Sequence, residues 1–279
     1  MTEPPFPYIG SKRRLASKIV GLLPEHSCYV EPFGGSAAVL LSKRPAETDV
    51  YNDLNGHLVT FFKVVRDRPE ELQEWLQATP YSRKLHDEYR RKLYGDEEVP
   101  NDEIARAGMT FFMQHTTFGG KLNASFKQPA QRNETKRWYD MTSPYRDGIN
   151  MLTEISDKIA SCVIEQLDWR ECIRRYDSPS TVFYLDPPYQ QSGDVYGFEF
   201  SATDLTDALY GINGEWLLSF DADDLDVGHA WKGNETLTWA VDNTSDTKIG
   251  STENLYTSFE PCENIRHENR HTDAMEAEW

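Results

Sequence analysis

Thr181-Val182-Phe183-Tyr184-Leu185 is an unbroken β-branched, aromatic and aliphatic run, and Asp186-Pro187-Pro188-Tyr189 follows it directly. A strand with no polar alternation has no face for water. It belongs inside a sheet covered on both sides, the situation of parallel strands flanked by helices. The two prolines fix the backbone and remove two donors, so carbonyls are left facing a cleft. A carboxylate beside such a carbonyl can accept both hydrogens of an amino group, and Tyr189 offers a face for stacking on a flat base. A plain proline-rich turn is the alternative reading of the same residues.

The rest of the chain alternates in the way a parallel sheet requires. Apolar spacing predicts a helix over Ser11–Leu23, stopped by Pro24, then a strand over Ser27–Glu31. A turn, Pro32–Ser36, leads to a helix from Ala37 to about Lys43. A strand over Thr48–Asp53 and a helix over Leu58–Arg66 follow. From Arg68 to Gly148 the texture is helical (Glu70–Gln77, Arg83–Leu93, Asp102–Gln114), with polar loops at Tyr94–Asn101 and Phe118–Trp138. Beyond it lie a helix over Met151–Ile159, a strand over Val163–Leu167 and a helix over Trp169–Tyr176. After the Thr181–Leu185 strand come a helix over Thr203–Ile212 and a strand over Glu215–Phe220. Segments near Thr236–Val241 and Asn254–Phe259 fit a terminal hairpin, and Glu260–Trp279 is a polar, acidic tail. This predicts an α/β domain in two pieces, 1–67 and 149–259, around a helical insertion at 68–148. Ligands are expected at the carboxyl ends of the strands.

Val30-Glu31-Pro32-Phe33-Gly34-Gly35-Ser36-Ala37 reads as strand, glycine turn and helix. Glycines let a backbone approach a ligand closely, and a helix N-terminus favours a polar or anionic group. Any tight βα turn looks alike, so this motif alone is weak. Asp53 ends the next strand, where an acid accepts hydrogen bonds from ribose hydroxyls; alone it reads more readily as a turn or helix cap. Together the two motifs favour an adenosine-bearing cofactor.

Charge first points away from nucleic acid. The 279 residues carry 29 Lys and Arg against 46 Asp and Glu, a net charge of −17. The distribution changes that reading. Residues 1–150 hold 21 basic and 20 acidic groups, and residues 151–279 hold 8 and 26. An acidic surface with only 12 lysines suits a salt-adapted protein whose self-repulsion is screened by counterions; an ordinary acidic cytoplasmic protein is the blander reading. No apolar run reaches membrane-spanning length, and the first residues lack the apolar stretch of a signal peptide, so the expected compartment is the cytoplasm. Four cysteines, none in a C-x-x-C pair, suggest neither a disulfide framework nor a zinc site, and the seven histidines show no metal-ligand spacing.

These motifs, in this order, resemble the Dam-like DNA adenine methyltransferases over about Phe6 to Phe259. Tyr8-Ile9-Gly10-Ser11-Lys12 is similar to the family's aromatic-x-G-[GS]-K element, and Glu31-Pro32-Phe33-x-Gly35 to its E-P-F-x-G. The resemblance implies a Rossmann-like, S-adenosylmethionine-dependent sheet with a helical target-recognition insertion. It assigns Tyr8, Lys12, Glu31, Pro32, Phe33, Gly35, Asp53 and Asp168 to the cofactor, and Asp186, Pro187, Pro188 and Tyr189 to catalysis. Ala105–Gly120, with Phe111-Phe112 and Thr117-Phe118-Gly119-Gly120, resembles the family's helix-to-loop segment near DNA. Ser36 and Ala37 stand where the family often has further glycines.

The implied reaction moves a methyl group from the donor to the exocyclic amine of an adenine flipped out of duplex DNA, with no metal. Arg83, Lys84, Arg90 and Arg91 with nearby tyrosines, and Lys121, Lys127 and Arg132 in the polar loop, are the expected DNA contacts; a solvated helix face is the even alternative for each. A monomer or weak dimer is expected, with a restriction endonuclease as a conceivable functional partner. The rival readings are an RNA adenine methyltransferase, a catalytically silent nucleic-acid-binding module, and a nicotinamide dehydrogenase; the last lacks a G-x-G-x-x-G sequence.

Overall fold

The structure, a computed structural model, describes residues 2–118, 124–128, 138, 140–188, 200–221, 235–241 and 251–260. Tyr189, Lys121, Arg132 and the acidic tail beyond Glu260 lie outside the described residues. Among the described residues seven strands form one sheet in the order β3-β2-β1-β4-β5-β7-β6. They are β1 (Cys28–Glu31), β2 (Thr48–Asn52), β3 (Val163–Glu165), β4 (Thr181–Leu185), β5 (Glu215–Asp221), β6 (Glu235–Val241) and β7 (Ser251–Thr257). The first five pair in parallel, and β7 enters antiparallel between β5 and β6. The expected terminal hairpin is therefore present, with its second strand beginning at Ser251 and inserted beside β5.

Alternate residues of each central strand serve opposite faces. Tyr29, Tyr51, Val182, Tyr184 and Leu217 pack into one apolar cluster, and Val30, Val50, Phe183, Leu185 and Leu218 into the other. All ten are buried, so both faces are dry, as the unbroken apolar strand predicts. The second face is covered by α9 (Trp169–Tyr176) and α10 (Ala202–Tyr210). The first is covered by α1 (Ala16–Leu22), α2 (Ala38–Ser42), α3 (Gly56–Asp67) and α8 (Leu152–Ile159).

The same core continues into α4 (Pro69–Gln77), α5 (Arg83–Tyr94), α6 (Glu103–Thr116) and α7 (Ser143–Asn150). α6 packs along α3 as well as against α4 and α5. Several helices start where local chemistry provides a start: Asn55 and Asp102 cap α3 and α6 with their side chains, and Pro69 sits in the first turn of α4. Three details differ from the periodicity. Ser11–Leu15 forms turns, and the first helix begins at Ala16. β3 stops at Glu165. α7 carried no helical signal, because its eight residues include a proline, a glycine and an asparagine. Among the described residues no helix is long and apolar enough to cross a membrane.

Candidate active site

Strand order reverses between β1 and β4, the place where open parallel sheets leave a crevice at their carboxyl ends. The glycine turn follows β1 and Asp186 follows β4, and the two strands are paired, Val30 beside Phe183. Both motifs therefore flank one crevice.

The turn after β1 is closely fitted. Gly35 has φ +49° and Ala37 φ +57°, so two left-handed residues bend the chain into α2. A Cβ on Gly34 would lie 2.3 Å from the Tyr51 ring, and one on Gly35 3.0 Å from the Tyr8 ring. The Tyr51 hydroxyl donates to the Gly35 carbonyl at 2.9 Å. Ser11 and Ser36 share a hydroxyl hydrogen bond of 2.8 Å, tying the N-terminal element to the turn. Ser36 and Ala37 thus replace glycine without opening the turn.

The acids on this edge occupy different environments. Glu31 is 2% exposed and accepts from the Tyr29 hydroxyl at 2.8 Å and the Leu40 N–H at 2.7 Å. Burial outweighs these bonds and pushes its carboxyl up to about 8. Asp53 accepts from the N–H groups of Gly35 and Asn55, both at 2.8 Å, and burial raises it to about 6. It fastens the glycine turn to the end of β2. Asp168 caps α9, accepting from the Arg170 N–H at 2.9 Å, and is half exposed. Phe33 sits beside Trp169 and Phe200, with centroids 6.2 and 6.0 Å away.

Lys12 is buried, and its ammonium donates to Asp186 Oδ1 at 2.6 Å and to the Gly10 carbonyl at 3.1 Å. The resemblance places Lys12 on the cofactor; the structure pairs it with the Asp186 carboxylate. Asn52 was not singled out by its sequence, yet it is wholly buried and joins three strand ends. Its amide donates to the Pro32 carbonyl at 2.8 Å and the Leu167 carbonyl at 3.1 Å, and its oxygen accepts from the Leu167 N–H at 2.8 Å. The available signal was an amide in the last position of a buried strand.

The insertion residues divide. Phe111 and Phe112 are fully buried among Phe61, Tyr89 and Tyr145, so these two rings of the Ala105–Gly120 segment are core. Phe118, just past α6, is 67% exposed. Arg83, Lys84 and Arg91 line a surface depression on α5 together with Asp87 and Glu88. Arg91 pairs with Glu97, and Arg83 lies over the Phe126 ring at 4.9 Å. Arg90, on the same helix, has its Nε buried without a hydrogen-bond partner among the described residues. Lys127 is half-buried, and its N–H donates to the Thr116 carbonyl at 2.6 Å, close to the end of α6.

A family model described as D12 class N6 adenine-specific DNA methyltransferase matches residues 8–216 of the chain. A type II methyltransferase of Lactococcus lactis subsp. cremoris is 26% identical over 202 residues, 68% of this chain and 67% of its own. One from Methanocaldococcus jannaschii is 25% identical over 217 residues, 70% and 72% of the two chains. One from Paramecium bursaria Chlorella virus NC1A is 23% identical over 178 residues, 62% and 63%.

Proposed function

The chain belongs to the D12 class of N6 adenine-specific DNA methyltransferases, and from that premise we propose that its methyl donor is S-adenosylmethionine and that Asp186 and the Pro187 carbonyl receive the adenine amine. The residues suit the donor chemically. Glu31, Asp53, Asp168 and Asp186 make one sheet edge rich in acceptors, which matches a ligand bearing hydroxyls, an ammonium and a sulfonium. Gly34 and Gly35 keep side chains out of the turn against Tyr51 and Tyr8, and Phe33 supplies an apolar wall. Glu31, Phe33, Gly35 and Asp53 would hold the donor, with Tyr8 beside the turn and Asp168 at the far end of the edge. When bound, the donor supplies an electrophilic methyl group.

The protein's part is placement and electrostatics. Adenine's amine is a weak nucleophile because its lone pair is delocalised into the ring. Acceptance of its two hydrogens by the Asp186 carboxylate and the Pro187 carbonyl localises that pair and stabilises charge developing on nitrogen. Lys12 fixes the carboxylate from the side of the N-terminal element. The base has to leave the duplex stack to reach this crevice, and Tyr189 is the stacking face assigned to it. The discontinuous domain of 1–67 and 149–259 would hold donor and base. The insertion 68–148 would meet DNA through Arg83, Lys84, Arg90, Arg91, Lys121, Lys127 and Arg132. We place the enzyme in the cytoplasm, as a monomer or weak dimer working with or without a restriction endonuclease, in a concentrated-salt interior.

The observation that carries this reading is the position of Asp186, at the carboxyl end of β4, beside the strand-order reversal and across from the glycine turn. The test is Asp186→Ala with radiolabelled donor on unmethylated duplex DNA and on structured RNA. Transfer to DNA should fall by about three orders of magnitude or more, with binding of S-adenosylhomocysteine nearly unchanged. Near-normal turnover by the variant, or label entering only RNA, overturns it.

A further inference from the structure

The segment carrying Lys12 is held at its far end by α8 and α3 and by α6 of the insertion. Thr2 donates to Glu154 of α8 at 2.8 Å. Pro4, Pro5 and Phe6 are buried, and the Phe6 ring meets Phe61 of α3 at 5.1 Å and Phe111 of α6 at 6.3 Å. The Pro5 carbonyl accepts a hydrogen bond from Nε2 of His115, also buried, at 3.0 Å. A carbonyl only accepts, so the ring proton is on Nε2. Burial also lowers the His115 imidazole to about 4, which keeps it neutral at physiological pH.

This joint is tight on its third side. A Cβ on Gly148 of α7 would lie 2.4 Å from the Pro5 carbonyl oxygen and 2.9 Å from His115 Nε2. α6, α7 and the N-terminal segment therefore meet at one hydrogen bond. From there Pro4-Pro5-Phe6-Pro7 leads to Tyr8. Three prolines in four residues fix φ and restrict their neighbours, so a displacement at Pro5 passes along the segment instead of being absorbed. Tyr8 lies against Gly35, and Lys12 reaches Asp186.

We propose that His115 is a positioning residue: through the Pro5 carbonyl it sets where Tyr8 and Lys12 stand against the glycine turn and Asp186, and so ties the insertion to the methyl-donor side of the crevice. The next turn of chain is where the basic loop attaches, Thr116 accepting from the Lys127 N–H and Thr117 bridging Phe126. The helix end that grips the segment therefore also carries the loop assigned to DNA. The inference rests on the roles given above to Tyr8, Lys12 and Asp186.

The test uses the full chain and three variants. His115→Phe keeps a ring against Phe111 and Tyr145 but removes the donor. His115→Gln restores an N–H at the same reach. Gly148→Ala pushes a methyl group into the joint. S-adenosylhomocysteine affinity is measured by calorimetry, methyl transfer to unmethylated plasmid DNA by label, and folding by melting temperature. His115→Phe and Gly148→Ala should bind S-adenosylhomocysteine about tenfold more weakly and lose about tenfold in kcat, with KM for DNA unchanged. His115→Gln should recover most of both. Wild-type donor affinity and kcat in His115→Phe overturn the proposal. So does a loss shared equally by the Phe and Gln variants, with DNA KM and melting temperature moving together, which would mark a purely structural residue. An active Asp186→Ala enzyme would instead remove the catalytic reading, while the donor-affinity contrast between Phe and Gln would still report on the joint.

Discussion

Glu31 is a carboxyl held where water is scarce. Its two hydrogen bonds stabilise the ionised form, yet burial dominates and raises its titration to about 8. The native state therefore keeps this proton from the ordinary carboxylate range up to about pH 8, whereas the unfolded chain has already lost it. Stability from this group is fully present below the unfolded pKa and is lost as pH rises through the folded one. Melting temperature should fall between about pH 5 and 8, and Glu31→Gln should flatten that slope, because the amide oxygen still accepts from Tyr29 and Leu40 without a charge. Urea or thermal unfolding at a series of pH values checks this. A variant that keeps the full slope would show that another buried acid governs it; Asp53, raised to about 6, would act over a lower window.

Strands and their connections show what was legible in the sequence. β4 could be read because a buried strand writes itself as an apolar run, and the glycine turn because only small residues fit against Tyr51 and Tyr8. Phe111 and Phe112 could not be assigned from spacing, since an aromatic pair that builds a core and one that meets a ligand look the same. α7 was hidden because its helix is made by packing of Tyr145 and Ile149 more than by its own propensities. Asn52 was hidden because its partners, Pro32 and Leu167, are remote in sequence and neighbours only once the sheet forms. Its side chain fastens the chain leaving β1 and β3 to the end of β2, so Asn52→Leu strands two carbonyls and an N–H. Stability should drop by about 2–4 kcal/mol in urea unfolding. Donor affinity should fall with it, because the glycine turn loses its anchor to the Asp168 side. A variant as stable as the parent would mean that water replaces the amide.

At the scale of the whole molecule, charge opposes the assigned partner. A chain of −17 repels a polyanion, but nearly all of the excess lies in residues 151–279, while residues 1–150, which include the insertion, are close to neutral. Under the proposed reading the insertion that meets DNA belongs to the near-neutral stretch of the sequence and not to the acidic one. Self-repulsion within the acidic part destabilises the compact state over a range set by the Debye length, about 10 Å at 0.1 M salt and about 3 Å at 1 M. Concentrated salt therefore removes a destabilising term, whereas it weakens phosphate contacts and leaves base recognition and stacking to supply specificity. Melting temperature should rise from 0.1 M to about 2 M KCl. Exclusion of the salt from the protein surface would stabilise any compact chain, so the same series is run on a variant with about ten of the acidic residues of 151–279 changed to Asn or Gln. Screening predicts a steep rise for the parent and a shallow one for the variant. Equal slopes would assign the effect to salt exclusion, and a flat or falling parent series would leave the acidic half without a role in salt tolerance.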